Sequence, residues 1–139
     1  MEKTLVIIKP DAMERRLGGT ILGRIEQKGF QIIGLKILHI DKSLAERHYA
    51  IHKDKPFFGG LVDYITSGPV ITAAFAGENA VNEIRKLMGP TDPAKAPPGT
   101  IRGDFGLDIQ RNSVHGSDSP ETAEKEVRLF FRDSELYRY

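Results

Sequence analysis

A single histidine, His115, lies in a segment whose residue types favour phosphate chemistry. Residues 112–118 read Asn-Ser-Val-His-Gly-Ser-Asp, and Ser119 and Pro120 then open a helix. Small residues after His115 leave its imidazole uncrowded, and the first turn of a helix offers unbonded N–H groups to an anion. A neutral imidazole is a nucleophile near pH 7, because its unperturbed pKa is about 6.5. The segment favours phosphoryl transfer, although a general base, a phosphate-binding group or a structural histidine would fit the same local pattern.

Three cations near the ends of predicted elements are candidates to face such a phosphate. Lys9 closes an apolar run, Arg85 lies on the edge of a helical stripe, and Arg102 lies in a long loop. Taken singly, each is most often a solvated surface charge. Lys9 is the strongest candidate, because a lysine that ends a buried strand must hold its ammonium group at the rim of the sheet, where ligands usually bind. Together the three cations would suit a polyphosphate.

An aromatic pair and a glutamate complete the candidate site. Phe57 and Phe58 lie between a proline and two glycines. An exposed ring can stack on any base, since every base has a π face; we expect Phe57 to be exposed and Phe58 to lie in the core. Glu126 lies one position off the apolar stripe of the last predicted helix. From there its carboxylate could accept the second ring N–H of His115, although such a glutamate is more often merely solvated.

Composition limits the class of protein. The chain has 139 residues, which we interpret as a single domain at 1–139. Lysine and arginine total 20 against 19 aspartates and glutamates, and a net charge of +1 gives no basis for a nucleic-acid-coating or membrane-surface role. There is no cysteine, which excludes disulfides and thiolate chemistry, and the four histidines are too scattered for a metal site. No apolar stretch suits a signal peptide or a membrane span, which predicts a soluble, cytoplasmic protein.

Apolar periodicity predicts alternating strands and helices. Residues 5–8 form a continuous apolar run, which indicates a strand that is covered on both faces and central in its sheet. The other predicted elements, in chain order, are a helix at 19–29, a strand at 30–40, helices at 44–50 and 61–65, a strand at 70–75, a helix at 80–88, a long binding loop at 90–112, a strand at 113–115 and a helix at 120–131. Asp41 or Ser43 can cap the helix at 44–50. This order predicts an α+β ferredoxin-like sandwich, a four-stranded antiparallel sheet with helices packed on one face.

The phosphate-binding fingerprints of the two standard nucleotide folds are absent. Residues 18–25 contain the two glycines of a Walker pattern, but Arg24 and Ile25 stand where a lysine and a hydroxyl residue belong. Residues 99–106 do not match the glycine pattern of the dinucleotide-binding fold. Neither fold applies to this chain.

The assembled motifs resemble those of the nucleoside diphosphate kinase family along nearly the whole chain. Residues 112–119 are similar to the active-site signature of that family. Further segments that resemble family landmarks, in the same order, are 8–11, 27–30, 56–58, 67–70, 89–91 and 98–105. Several independent matches in one order make the resemblance specific.

The resemblance implies a ping-pong reaction through a phosphohistidine. Nδ1 of His115 would take the γ-phosphoryl group of a nucleoside triphosphate and pass it to a nucleoside diphosphate, while Glu126 holds the other ring nitrogen and Ser117 supports that arrangement. The remaining site residues would bind substrate: Lys9, Tyr49 and Asn112 at the transferring phosphate or the 3′-hydroxyl region, Arg85, Thr91 and Arg102 at the nucleotide phosphates, and Phe57 on the base. Mg²⁺ would be held mainly by the phosphates, so no protein metal ligand is expected.

The resemblance leaves the assembly open. Many family members continue past the position of Tyr139 with a tail that contacts neighbouring subunits, and the expected homo-oligomer is a tetramer or a hexamer. Two other functions remain as alternatives: a non-catalytic ligand-binding or RNA-binding module on the same scaffold, and an inactive relative that serves as an assembly partner. The chain lacks the aromatic pattern of an RNA-recognition sheet. The inactive relative is disfavoured because no matched site residue is missing.

Overall fold

The first strand of the chain lies in the interior of a four-stranded antiparallel sheet. A computed structural model describes residues 1–139. The strands are β1 (Glu2–Ile8), β2 (Gln31–Leu38), β3 (Val70–Gly77) and β4 (Val114–Gly116), and their order in the sheet is β2-β3-β1-β4. β1 pairs antiparallel with β3 and β4, and β2 pairs antiparallel with β3. The predicted antiparallel ferredoxin-like sandwich and the interior position of the first strand are confirmed.

Helices connect the strands and flank the sheet. The α-helices are α1 (Pro10–Glu14), α2 (Gly18–Glu26), α3 (Lys42–His48), α4 (Phe58–Ile65), α5 (Ala80–Met88), α6 (Ile101–Phe105) and α7 (Pro120–Phe130). Short 3₁₀ helices lie at Ala50–His52, Pro93–Lys95 and Asp133–Glu135. None of the helices combines the length and the apolar composition that crossing a bilayer requires.

An apolar core lies on each face of the sheet, so the prediction of helices on one face was wrong. Leu5 and Ile7 of β1 pack in one core with residues of α3, α4 and α7. Val6 and Ile8 point the other way, as alternate residues of a strand must, and pack with residues of α1, α2, α5 and α6. All four side chains are fully buried. The unbroken apolar run is the sequence signal of this two-sided cover, because a strand with one wet face alternates apolar and polar residues.

Two helices of five residues are absent from the sequence-based prediction. Pro10 follows β1 by two residues and begins α1, since the fixed φ of proline suits the first helical position. α6 lies inside the segment predicted as a loop at 90–112, and the hydroxyl of Thr100 caps it by accepting the N–H of Gly103 at 3.0 Å. Five residues give too few apolar positions to show a helical period, so the apolar pattern could not predict either helix.

The longer helices lie where the pattern predicts them, with small differences at their ends. The carboxylate of Asp41 caps α3 by accepting the N–H of Leu44 at 2.8 Å. Ser119 caps α7, because its hydroxyl oxygen accepts the N–H of Thr122 at 3.1 Å. α4 begins at Phe58 instead of at the predicted residue 61, so Gly59 and Gly60 lie within its first turn.

Ile7 and Ile8 test the two-sided core, because they enter different cores and are both fully buried. We expect Ile7→Ala and Ile8→Ala each to lower the free energy of unfolding by about 2–5 kcal/mol, since each leaves a cavity in a packed core. The control is Ile51→Ala: Ile51 is 84% exposed, and its truncation should cost less than about 0.5 kcal/mol. Urea denaturation at one protein concentration measures all three variants. A large loss in only one of the two β1 variants would contradict the two-sided core.

Candidate active site

A cleft of about 1060 Å³ gathers the residues that the sequence analysis singled out. Nine of the ten predicted site residues line it: Lys9, Tyr49, Phe57, Arg85, Thr91, Arg102, Asn112, His115 and Glu126. The tenth, Ser117, lies behind the cleft wall and is fully buried. The walls come from the end of β1, from the chain between α3 and α4, from α5 and the segment after it, and from β4 and α7. Elements from the whole length of the chain therefore converge on one cleft.

His115 is the middle residue of β4 and pairs with Ile7 of β1. Its two neighbours in the strand are buried, whereas the side chain of His115 is 22% exposed and reaches the cleft. A Cβ on Gly116 would lie 2.5 Å from Sδ of Met88, so the glycine after His115 makes room for α5 against β4. Pairing with β1 and packing against α5 thus hold the short strand that presents the imidazole.

Glu126 and Ser117 fix one side of the imidazole. Oε1 of Glu126 lies 3.0 Å from Nε2 of His115, and it accepts a hydrogen bond of 2.6 Å from the hydroxyl of Ser117. The hydroxyl oxygen of Ser117 accepts the N–H of Leu5 at 3.2 Å, which ties the group to β1. Burial alone would raise the pKa of Glu126, but hydrogen bonds and charge from the neighbouring side chains outweigh it and the pKa is lowered. A carboxylate that accepts the Nε2 proton leaves the lone pair of the neutral ring on Nδ1, which makes no hydrogen bond within the protein.

His48 is a residue of the site that the sequence reasoning missed. Its side chain is 2% exposed, and its ring lies edge-on to the ring of His115 with centroids 4.8 Å apart. Nδ1 of His48 lies 3.7 Å from Oε2 of Glu126. Burial, followed by the charge of His115, lowers the pKa of His48 to about 3, so the ring is neutral at neutral pH. The sequence analysis expected the four histidines to be too scattered for a metal site. In the structure, helix α3 packs beside α7 and brings His48 to His115 and Glu126.

Three cations line the same cleft as His115. Lys9 is 9% exposed and Arg102 is 7% exposed, while Arg85 is exposed. Burial and then the charge of Arg102 lower the pKa of Lys9 to about 8, although Asp11 opposes this shift. Burial and then the charge of Arg85 lower the pKa of Arg102 to about 10. Each of the two shifts has a neighbouring cation among its causes, so an anion bound here would relieve their repulsion.

Hydrogen bonds hold the buried cations in place. Nζ of Lys9 donates to Oδ1 of Asn112 at 2.9 Å, and Nδ2 of Asn112 donates to the carbonyl oxygen of Thr91 at 3.0 Å. Arg102 donates through Nη1 to the carbonyl oxygen of Gly89 at 2.9 Å and through Nη2 to that of Val114 at 2.8 Å. Arg102 therefore also connects the end of α5 to β4, a structural contact that its position in a predicted loop did not reveal.

The turn that carries Asn112 into β4 is backbone-strained. Ser113 has a φ of 77°, in the left-handed region that residues other than glycine rarely adopt. Its N–H donates to Oδ2 of Asp11 at 3.0 Å, and its carbonyl oxygen accepts the N–H of Lys9 at 3.0 Å. The junction between β1 and α1 thus holds this conformation and sets the path of the chain two residues before His115.

Two aromatic residues complete the cleft. Burial, followed by the charge of Glu126, raises the pKa of Tyr49 to about 12, so its hydroxyl stays protonated at neutral pH and can donate a hydrogen bond. Phe57 is 50% exposed, and its ring lies 5.3 Å from the ring of His52. Phe58 packs against the core next to α3, α4 and α7. The expected division, with Phe57 exposed and Phe58 in the core, is confirmed.

Comparison with known proteins identifies the family of this chain. The family model described as "Nucleoside diphosphate kinase" matches residues 2–136. A relative from Dehalococcoides mccartyi named "Nucleoside diphosphate kinase" is 56% identical over 139 residues, and the match covers all of this chain and 98% of that protein. The chain belongs to the nucleoside diphosphate kinase family. The family is a class of phosphotransferases whose general mechanism is ping-pong transfer through a phosphohistidine, and it uses divalent cations.

Solved structures of nucleoside diphosphate kinases share the fold. The kinase from Aquifex aeolicus superposes with a TM-score of 0.96 at 43% sequence identity, and the match covers 98% of this chain and 99% of that one. The kinase from Halobacterium salinarum, solved in complex with CDP, also has a TM-score of 0.96, at 49% identity over 99% of this chain and 92% of that one.

A buried, neutral His48 makes the stability of this family member depend on pH. Its pKa is about 3 in the folded protein and about 6.5 in an unfolded chain. At pH values between the two pKa values, the unfolded state binds more protons than the folded state. The free energy of unfolding therefore rises with pH and falls on acidification. We expect the free energy of unfolding to fall between about pH 6.5 and about pH 5, and to fall less in His48→Gln than in the parent by about 1.5 kcal/mol.

Urea denaturation at the two pH values measures this difference. His39→Gln removes an exposed histidine outside the cleft and controls for the loss of any histidine. Equal pH slopes in His48→Gln and the parent would contradict a buried neutral His48.

Proposed function

We propose that this chain catalyses the transfer of the γ-phosphoryl group of a nucleoside triphosphate to a nucleoside diphosphate through a phosphohistidine on Nδ1 of His115. The observation that carries the proposal is the contact between Nε2 of His115 and Glu126, at 3.0 Å. It leaves the Nδ1 lone pair available in a cleft that also holds Lys9, Arg85 and Arg102. A nucleophile beside clustered cations is the arrangement that phosphoryl transfer requires.

The proposed chemistry has two symmetric halves. In the first, the Nδ1 lone pair attacks the γ-phosphorus, the bond to the β–γ bridging oxygen breaks, and the nucleoside diphosphate leaves. As Nδ1 bonds to phosphorus the ring becomes positive, and the carboxylate of Glu126 stabilises that charge through Nε2–H. In the second half, a terminal oxygen of another diphosphate attacks the phosphohistidine and the Nδ1–P bond breaks. Lys9, Arg85 and Arg102 offset charge on the phosphate oxygens in both directions.

The remaining predicted residues have proposed roles in binding. Asn112, which accepts from Lys9, and the protonated hydroxyl of Tyr49 would contact the transferring phosphate or the 3′-hydroxyl region. Thr91 would bind the nucleotide phosphates together with the arginines. The exposed ring of Phe57 would stack on the base, an interaction that tolerates every base. Ser117 would hold Glu126 in position.

The divalent cation of the reaction is proposed to be Mg²⁺, which neutralises charge on the phosphate oxygens when bound with the nucleotide. The donor set of the cleft fits an ion that is held mainly by phosphates. Mg²⁺ prefers oxygen ligands and keeps several waters, and Glu126 already accepts from His115 and Ser117. Asp118 is an exposed carboxylate on the cleft wall that can approach such an ion.

The cellular setting is also part of the proposal. We place the activity in the cytoplasm, in one kinase domain at 1–139 that acts on nucleoside triphosphates and diphosphates and needs no nucleic acid or membrane. The homo-oligomer, tetramer or hexamer, stays a prediction, and sedimentation of the purified protein decides between the two.

Labelling with ATP tests the phosphohistidine. The protein incubated with γ-labelled ATP and Mg²⁺ should carry an acid-labile, alkali-stable label on His115, and unlabelled GDP should remove it as GTP. His115→Gln should take no label. Glu126→Gln should slow labelling by about 10- to 100-fold, because a neutral amide stabilises the charged ring less than a carboxylate does. A label that persists in His115→Gln, or one that GDP does not remove, would refute the mechanism.

Loss of the positive charge of Lys9 should slow the first half-reaction at alkaline pH. Its pKa of about 8 in the free protein means that it loses its charge above this pH. We therefore expect kcat/KM for ATP to fall about tenfold between pH 7 and pH 9, since this parameter reports groups of the free enzyme. Lys9→Met should have a lower kcat/KM at pH 7 and little change across this range. A fall of the same size in Lys9→Met would assign the titration to another group.

A further inference from the structure

His48, His115 and Glu126 form a cluster of metal-ligand type on the inner wall of the cleft. One possible ligand atom from each residue lies within 4.8 Å of the other two. Nε2 of His115 lies 3.0 Å from Oε1 of Glu126, and Nδ1 of His48 lies 3.7 Å from Oε2 of Glu126. Three separate elements, α3, β4 and α7, bring these residues together.

The proposed phosphoryl transfer does not account for His48. Its side chain is 2% exposed, and neither of its ring nitrogens has a hydrogen-bond partner. Leaving a buried polar group unpaired costs about 1–3 kcal/mol, so a buried imidazole with no partner requires an explanation. Nδ1 of His48 faces Oε2 of Glu126 at 3.7 Å, so this nitrogen points toward the cluster.

We propose that the His48–His115–Glu126 cluster is a Zn²⁺ site that holds the enzyme in an inactive state. Two imidazoles and one carboxylate form a known donor set of zinc sites whose fourth position is open. Ligand bonds of about 2.0–2.2 Å in a tetrahedron place the ligand atoms roughly 3.3 Å apart, so side-chain movements of about an ångström would complete the site. Mg²⁺ does not compete, because it prefers six oxygen ligands.

The exposure of the three side chains leaves the ion a route of entry. His48 is 2% exposed and Glu126 is 12% exposed, whereas His115 is 22% exposed at the cleft surface. The cleft surface at His115 is therefore the route by which an ion would reach the cluster.

The inactive state follows from the tautomer of His115, and this step rests on the proposed function. A neutral imidazole has one lone pair and one ring proton. In the free protein Glu126 accepts the proton on Nε2, and the lone pair is on Nδ1. Coordination through Nε2 moves the ring proton from Nε2 to Nδ1, so that Nδ1 becomes a donor and can no longer attack phosphorus. The same ring would thus bind either Zn²⁺ or a phosphoryl group.

Direct metal binding without nucleotide tests the site. Titration of the metal-free protein with Co²⁺ should give the visible absorption of tetrahedral cobalt, saturating at one ion per chain, and Zn²⁺ should displace the cobalt whereas Mg²⁺ should not. His48→Gln should weaken Zn²⁺ binding at least about tenfold. The matched control His39→Gln should bind Zn²⁺ like the parent. Glu126→Gln removes a different ligand and should also weaken binding, and circular dichroism verifies that each variant is folded.

Labelling by ATP then tests the inactive state. Protein loaded with Zn²⁺ and separated from free metal should take up little label from γ-labelled ATP at saturating Mg²⁺, and EDTA should restore labelling. Zn²⁺ binding that is unchanged in both ligand variants, or the absence of tetrahedral cobalt bands, would overturn the site. Full labelling of the Zn²⁺-loaded protein would overturn the proposal that bound Zn²⁺ inactivates the enzyme. Protein that binds Zn²⁺ but takes no label at saturating Mg²⁺ even when Zn²⁺ is absent would refute the proposed function and leave the metal site standing.

Discussion

The hydrogen bond between Nε2 of His115 and the carboxylate of Glu126 is the interaction on which the rest of the site depends. It joins a strand of three residues to the last helix of the chain. Neither element could hold this distance alone, because β4 is positioned by its pairing with β1 and α7 by its packing on the same strand. The tautomer of the histidine is therefore a consequence of how β4 pairs with β1 and α7 packs on it, and the availability of Nδ1 follows from that tautomer.

The cleft combines that oriented imidazole with cations that burial has made less basic. Water would keep the ammonium of Lys9 and the guanidinium of Arg102 fully charged, but the protein removes much of that water and sets the two cations near each other. Hydrogen bonds to Asn112 and to backbone carbonyl oxygens hold them in that unfavourable position. A polyphosphate bound there, as proposed, would replace the lost solvation with its own negative oxygens, so binding would recover the free-energy cost of burying these charges.

Patterns that depend on a few neighbouring residues were predictable. The alternation of strands and helices, the cap by Asp41 and the exposure of Phe57 all follow from local residue types, and the structure agrees with them. α1 and α6 were not predictable from periodicity, because five residues make little more than one helical turn. The unbroken apolar run at 5–8 indicated that helices cover both faces of β1. The order of strands and helices along the chain instead favoured a sheet with helices on one face.

The sequence by itself determined the chemical types that are available: an imidazole in a segment of small residues, a lysine at the end of a buried strand, one arginine on a helical stripe and one in a long loop, and an aromatic turn. It also determined the family, because its motifs occur in one order along the chain. Only the tertiary structure decided which of these groups meet. His48 and His115 are far apart in the chain, and no periodicity predicts that α3 packs beside the helix that carries Glu126 and so brings His48 to His115. The distances between these side chains depend on how all the elements pack in both cores. A local sequence pattern contains no information about that packing.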